Sequence, residues 1–346
     1  MSTVLETYLN KFTEADWLAA IEELLPCIHE VDRNAVQIWF RFYPLSLIRY
    51  VAAAEDRDAA VREFALQGDL DLANRIDTSH HFLYGHRYWK TVKRKIEQYA
   101  ENFNAAEASL TVTVKEIAMQ SSEKLGVERN LVNAIAAVGL ATLNQVGLDA
   151  FKAAAGEVEK PAGIMSKSPE AIIAERARDD SQGLFGFLKT VNKKFSVAFD
   201  NLRSTGKFRI MADQEIAGAS AKHQTGAFKE EDDRCWEGVV PVECLSASCG
   251  TCWVGVLGGQ EKLSEVARRE RRAMKVFGYN QPDEPKPFLR LACQARADGN
   301  VSIVIPPWNA VFGKKIHGDV EELVLEPATT SAQVLRDTIA SAASGE

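Results

Sequence analysis

Long apolar runs are missing from this 346-residue chain. No stretch reaches the ~18 apolar residues that a membrane-spanning helix needs. The nearest candidate, Leu131 to Phe151, is interrupted by Asn133, Asn144, Gln145 and Asp149, so no transmembrane segment is expected. The opening MSTVLETYLNKF shows no basic stretch followed by an apolar one, which predicts no secretory leader. Excess positive charge is missing too. Lys and Arg number 41 against 48 Asp and Glu, a formal net charge of −7, so nucleic acid is not an expected partner. No phosphate-cradling Walker loop, no dinucleotide-binding GxGxxG after a strand, no H-E-x-x-H and no G-x-S-x-G occurs. These absences weigh against a self-contained reductase with its own flavin or nicotinamide site. Cysteine is scarce, six in all, which is no disulfide scaffold at this length. A cytoplasmic protein with reduced thiols is the expectation.

What is present divides the chain. Residues 1–155 read as a helical domain. Thr13 is a candidate N-cap for FTEADWLAAIEELL, Pro44 should break the apolar stretch around it, and Gly126 is a natural C-cap for VTVKEIAMQSSEKLG. ERNLVNAIAAVGLATLNQVGLDAFKAAAG predicts one long, buried helix. Residues 156–205 read as a linker followed by amphipathic helices. From about Lys207 the pattern changes, because KFRIMA, CWVGVLGG and GNVSIVIPP alternate as strands do, with a charged helix, LSEVARRERRAMKVFG, among them. The fold class expected is therefore α+β: an all-α N-terminal domain followed by an α+β domain over 206–315. The polar tail, 316–346, is expected to be mobile.

Three of the six cysteines fall in VECLSASCGTCWVGV, spaced Cys244-x4-Cys249-x2-Cys252. A fourth, Cys293, lies in FLRLACQA after 40 intervening residues. Four thiolates in the order C-x4-C-x2-C…C are what a plant-type [2Fe–2S] cluster uses. Such a group is anionic and needs backbone N–H groups aimed at its sulfurs. Ser246, Ala247, Ser248, Gly250 and Thr251 are the small residues that a tight loop of that kind wants. Structural zinc, a [4Fe–4S] cluster and disulfides are lesser readings. Zinc usually takes its cysteines from two short hairpins, two and two, rather than three and one.

CLSASCGTC, the strand after it and RLACQARADGNVSIVIPP together resemble the C-terminal part of a plant-type [2Fe–2S] ferredoxin. The resemblance covers Val242 to Trp308 well and roughly another 35 residues before that poorly. It implies a β-grasp fold, with Cys244, Cys249, Cys252 and Cys293 as the cluster ligands. Two departures stand out. The stretch between Cys252 and Cys293 is longer than in small photosynthetic ferredoxins. The hairpin and helix that the family places before its first cysteine are hard to find in IMADQEIAGASAKHQTGAFKEEDDRCWEGVVPVEC.

The resulting expectation is a one-electron carrier of low potential, near −400 mV. It would act as a subunit docked on a larger oxidoreductase of hydrogenase or dehydrogenase type, or on another redox-partner protein. The alternatives are an enzyme whose helical domain binds a substrate or second cofactor, and a cluster-based redox sensor. Other features carry weaker expectations. HHFLYGHRYW, with His80, His81 and His86, reads as a polar-aromatic packing seam, with a partner surface or a metal or haem site as alternatives. A stripe of Leu184, Phe187 or Leu188, Val191, Phe195, Phe199 and Leu202 reads as a basic amphipathic helix over 183–203. Such a helix reads first as packed on its own domain, with docking on a partner subunit or peripheral contact at the inner face of a membrane as alternatives. EVARRERRAMKVF reads as a solvated helix able to steer an acidic partner or to offset cluster charge. Cys235 and Cys27 read as ordinary core or surface thiols.

Overall fold

In the computed structural model, residues 3–104, 109–178, 193–223, 226–278 and 284–313 are described, with 316, 338 and 341–342 beyond them. Local chemistry sets the helix ends. Thr13 caps α2 (Glu14–Leu24) in a capping box with Asp16, and Thr3 does the same with Glu6 for α1 (Val4–Leu9). Pro44 separates α3 (Glu30–Phe42) from α4 (Leu45–Ala53). After α5 (Arg57–Glu63) and α6 (Trp89–Asn102), α7 (Leu110–Leu125) ends on Gly126 in the left-handed conformation that a C-cap demands. The long apolar helix expected next is two helices, α8 (Asn130–Val146) and α9 (Leu148–Ala153). Gly147, at φ 81° and ψ 158°, interrupts the helical hydrogen-bond ladder there. α10 spans Pro169–Ala177.

The chain forms two compact units. The first comprises residues 1–49 and 70–175 and is built around α8, whose residues from Val132 to Leu143 are all buried. Helices α3, α6 and α7 pack against it. Gly139 permits the closest approach, since a Cβ there would lie 2.5 Å from Ile96 Cδ1 and 2.9 Å from Trp89 Cζ3. No helix among the described residues is long and apolar enough to cross a membrane.

The second unit comprises residues 50–69 and 176–346. Its strands are β1 (Gln67–Gly68), β2 (Lys194–Asp200), β3 (Thr205–Met211), β4 (Gln214–Glu215), β5 (Trp253–Gly258), β6 (Leu289–Leu291), β7 (Arg296–Ala297), β8 (Val301–Val304) and β9 (Trp308–Asn309). Five of them make a mixed sheet in the order β3-β2-β8-β5-β6. Only β2 and β8 run parallel; the other neighbours are antiparallel. Helix α11 (Ile216–Ala221) packs on β3, and α12 (Phe228–Glu231) and α13 (Arg268–Phe277) follow. The fold is therefore α+β.

Three expectations change. The amphipathic helix read over 183–203 is strand β2 from Lys194 to Asp200, while 179–192 lie outside the described residues. Phe195 and Phe199 are four apart, which keeps them on one face of a helix and equally on one face of a strand. Val197 between them is buried too, so period two wins: the stripe packs into its own domain as expected, but as a strand and not a helix. A hairpin (β2–β3) and a helix (α11) do precede the first cysteine of the loop, beginning ahead of the 206 boundary. Finally, Tyr50–Asp69, read from sequence as part of a continuous helical region, belongs to the second unit. There Val311 donates to the Phe64 carbonyl at 2.7 Å, and β1 pairs with β9 through Gln67 and Asn309. The tail expected to be mobile lies outside the described residues, save for the single positions above.

Gly139→Val forces extra carbon into the α6–α8 contact, and overpacking of this kind costs about 1–3 kcal/mol. Urea unfolding followed by helical circular dichroism should register that loss.

Candidate functional site

Strand pairing brings two of the four spaced cysteines together. Cys252 immediately precedes β5 and Cys293 follows β6 by two residues. The antiparallel register sets Trp253 opposite Leu291, and Ala292 N donates to Cys252 O at 2.9 Å. Cys244 and Cys249 come from the loop that leads into β5. That loop needs backbone shapes that side chains resist: Leu245 sits at φ 55°, Ala247 at φ 61° and Gly250 at φ 68°. Two non-glycine residues in the left-handed region of one loop are strain, and strain of that kind collects at functional sites. Gly250 is doubly required, because a Cβ there would lie 2.9 Å from the Phe277 ring.

The strain turns amides toward sulfur. Ser246 N and Ser248 N donate to Cys244 Sγ at 3.4 and 3.3 Å. Backbone amides of Thr251 and Ala247 serve Cys249 and Cys293, and that of Cys293 serves Cys252. Side chains add to this, with Thr251 Oγ1 3.2 Å from Cys249 Sγ and Gln294 Nε2 3.4 Å from Cys293 Sγ.

The sulfurs fall into two pairs, Cys244 with Cys249 and Cys252 with Cys293, each within hydrogen-bond reach of its mate. The hydrogen bond from Cys249 and the loop amides hold the Cys244 thiol well below its usual range. Cys249, the donor, is pushed up by that bond and by burial. The same division raises Cys252 and lowers Cys293. A tetrahedral metal ion wants three or four donors about one point. Among the described residues no three His, Cys, Asp or Glu side chains are placed so. The four thiols thus stand as two pairs, with N–H donors beside them. Cys235 stands apart, bonded to the Val239 carbonyl at 3.2 Å, with burial pushing its thiol up to about 12. Cys27 is exposed.

Two residues that support the site escaped the sequence reading. Glu270 sits in the arginine-rich helix yet is wholly buried, as is Arg290. Its carboxylate accepts from Arg290 Nε and the second guanidinium nitrogen, both at 2.9 Å, and from Leu291 N at 2.9 Å. The remaining guanidinium nitrogen donates to Ser264 O. This fork ties α13 to β6 directly ahead of Cys293. The signal was in the spacing, since Glu270 lies on the stripe of Ala273, Met274 and Phe277, all buried. Gln294 is the second, donating to Leu245 O at 3.5 Å as well as to Cys293 Sγ, which links the two cysteine-bearing segments.

The histidine stretch in the first unit is a buried seam. His80 and His86 meet Nδ1 to Nδ1 at 2.8 Å, and the His80 ring lies 4.2 Å from that of Trp89. Asp32, buried on α3 and unremarked in the sequence, accepts from Tyr84 N at 2.6 Å and Gly85 N at 2.9 Å and so fixes the turn between them. Burial depresses His80 far below the ordinary imidazole range and His86 to about 3.

Two outcomes are expected. Glu270→Gln leaves Arg290 charged without its partner, costing about 3–5 kcal/mol in chemical denaturation, and the double change Glu270→Leu with Arg290→Met recovers most of the loss. For His80 and His86 the folded chain binds fewer protons than the unfolded one below roughly pH 6.5. Stability is thus full above that pH and falls as acid drives the unfolded imidazoles to protonate. Thermal melts between about pH 7 and 5 should show this slope, and a His80→Leu, His86→Leu variant should flatten it. Compared with known proteins, the chain matches no family model, no curated protein and no solved structure.

Proposed function

We propose that this chain is a one-electron carrier holding a [2Fe–2S] cluster on Cys244, Cys249, Cys252 and Cys293. The observation that carries the reading is the double pairing of the thiols inside a cage of backbone N–H donors. Cys244 with Cys249 would hold one iron, and Cys252 with Cys293 the other. Such a cluster, when bound, takes up and returns a single electron. The chain's own groups do the rest. Amides of Ser246, Ala247, Ser248, Thr251 and Cys293 offset negative charge on the sulfurs, and more so once an electron is added. Trp253 and Phe277, both buried, keep water from the inner side. Cys244 and the exposed Leu245 sit on the outer side, so the path for an electron to a partner is short there.

The sheet also favours a ferredoxin-like β-grasp. A hairpin leads to a helix, the last long strand lies in the middle, parallel to the first, and the cysteine loop precedes the third strand of the sheet. The helical unit is then a docking element for a larger oxidoreductase, in keeping with the absence of nucleotide-binding motifs from the sequence. Plant-type ligation with four thiolates implies a low potential, near −400 mV.

Anaerobically purified protein should contain about two irons and two acid-labile sulfides per chain, and dithionite should produce the EPR signal of a reduced S = 1/2 centre. Zinc in place of iron and sulfide defeats the assignment. So does a Cys293→Ser variant with an unchanged spectrum.

A further inference from the structure

Strand β3 is an edge strand: among the described residues only β2 pairs with it. Ala212 N donates to Lys193 O. Antiparallel alternation then turns the backbone groups of Ile210 and Phe208 toward β2 and those of Lys207 and Arg209 outward. The outward N–H of Met211 is already taken by Gln214 Oε1 at 3.0 Å. A groove of about 410 Å³ runs along this edge between β3 and the C-terminal end of α11. Phe208 and Ile210 lie at its base.

The charge of the groove opposes that of the chain. Lys194, Lys207, Arg209 and Lys222 line it, and no carboxylate does. None of the four makes an ion pair among the described residues, in a chain whose net charge is −7. The cations also sit on both faces of the sheet edge. Lys207 and Arg209 are exposed on the side away from Phe208 and Ile210, whereas Lys222 belongs to the helix that covers those two. An extended segment laid along β3 would send alternate side chains to the two faces, and each face offers it positive charge.

We propose that this edge binds a short, extended, acidic segment of a partner protein, which adds a strand to the sheet through the open backbone groups of Lys207 and Arg209. Acidic side chains of the segment meet Lys194, Lys207 and Arg209 on one face, and its apolar ones rest against Phe208 and Ile210 on the other. The site is separate from the cysteine loop and does not depend on iron.

The test uses the full chain and fluorescein-labelled eight-residue peptides read by fluorescence anisotropy. A peptide alternating Glu with Val should bind, and the binding should weaken as salt is raised. One alternating Lys with Val should not bind. A backbone N-methylated form of the Glu peptide keeps its charge and loses its pairing groups, so it should lose most of its affinity. Reversing Lys207 and Arg209 together to Glu should weaken binding roughly tenfold. Lys229→Glu, outside the groove, should leave it unchanged. Equal binding of the N-methylated peptide would reduce the site to a charge patch and overturn the proposal without recourse to any variant. No binding of the Glu peptide would mean that the lysines only guard the edge against pairing. Tighter binding by a chain ending at 316 would overturn the partner assignment, because the acidic stretch 319–326 of this chain would then be the occupant.

Discussion

The antiparallel pairing of β5 with β6 is the constraint on which the site depends. It takes Cys252 and Cys293, 40 residues apart in between, and sets them on neighbouring backbones joined by the hydrogen bond from Ala292 to Cys252. Everything else adjusts to that ladder. The loop before β5 bends through two left-handed non-glycine residues to bring Cys244 and Cys249 beside the other two. The helix between the strands anchors its end of the ladder with a buried carboxylate. A slip of one residue in this register would turn the side chains of β6 to the other face of the sheet and carry Cys293 away from its place beside Cys252.

The buried Glu270–Arg290 fork shows how a polar pair can specify geometry. Both side chains are fully out of water, which is costly unless every charge finds a partner. Here the carboxylate takes three donors and the guanidinium reaches two acceptors groups, Glu270 and Ser264. The long stretch between the third and fourth cysteines, which looked from sequence like an interruption, is thereby built into the site's wall through Phe277 and Gly250.

Much of this was legible in the residues, and the failures have local causes. Thr13, Pro44 and Gly126 act at the chain positions where they stand, so caps and breaks were readable one by one. The strand in KFRIMA was readable because its residues alternate between core and solvent, whereas in CWVGVLGG the first four strand residues are all buried and the apolar run itself was the signal. Phe195 and Phe199 misled because a spacing of four satisfies both periods, and only the burial of Val197 separates them. Glu270 misled because the formal charge of its helix hides which face is buried. The cysteines stood out as a set by spacing alone, but spacing carries no distances; the division into two pairs is a product of the sheet. Asp32 was invisible for a different reason, since its partners at Tyr84 and Gly85 lie 52 and 53 residues away.

The excursion of residues 50–69 has a consequence for how such a chain could be cut or assembled. The polypeptide passes between its two units three times, at 49/50, 69/70 and 175/176. A fragment beginning after 175 would carry the cysteine loop but would strip β9 of its partner strand and Val311 of the Phe64 carbonyl. Simple end-to-end joining of two separately folding modules does not describe that chain order, because the second unit draws on residues from both sides of 70–175.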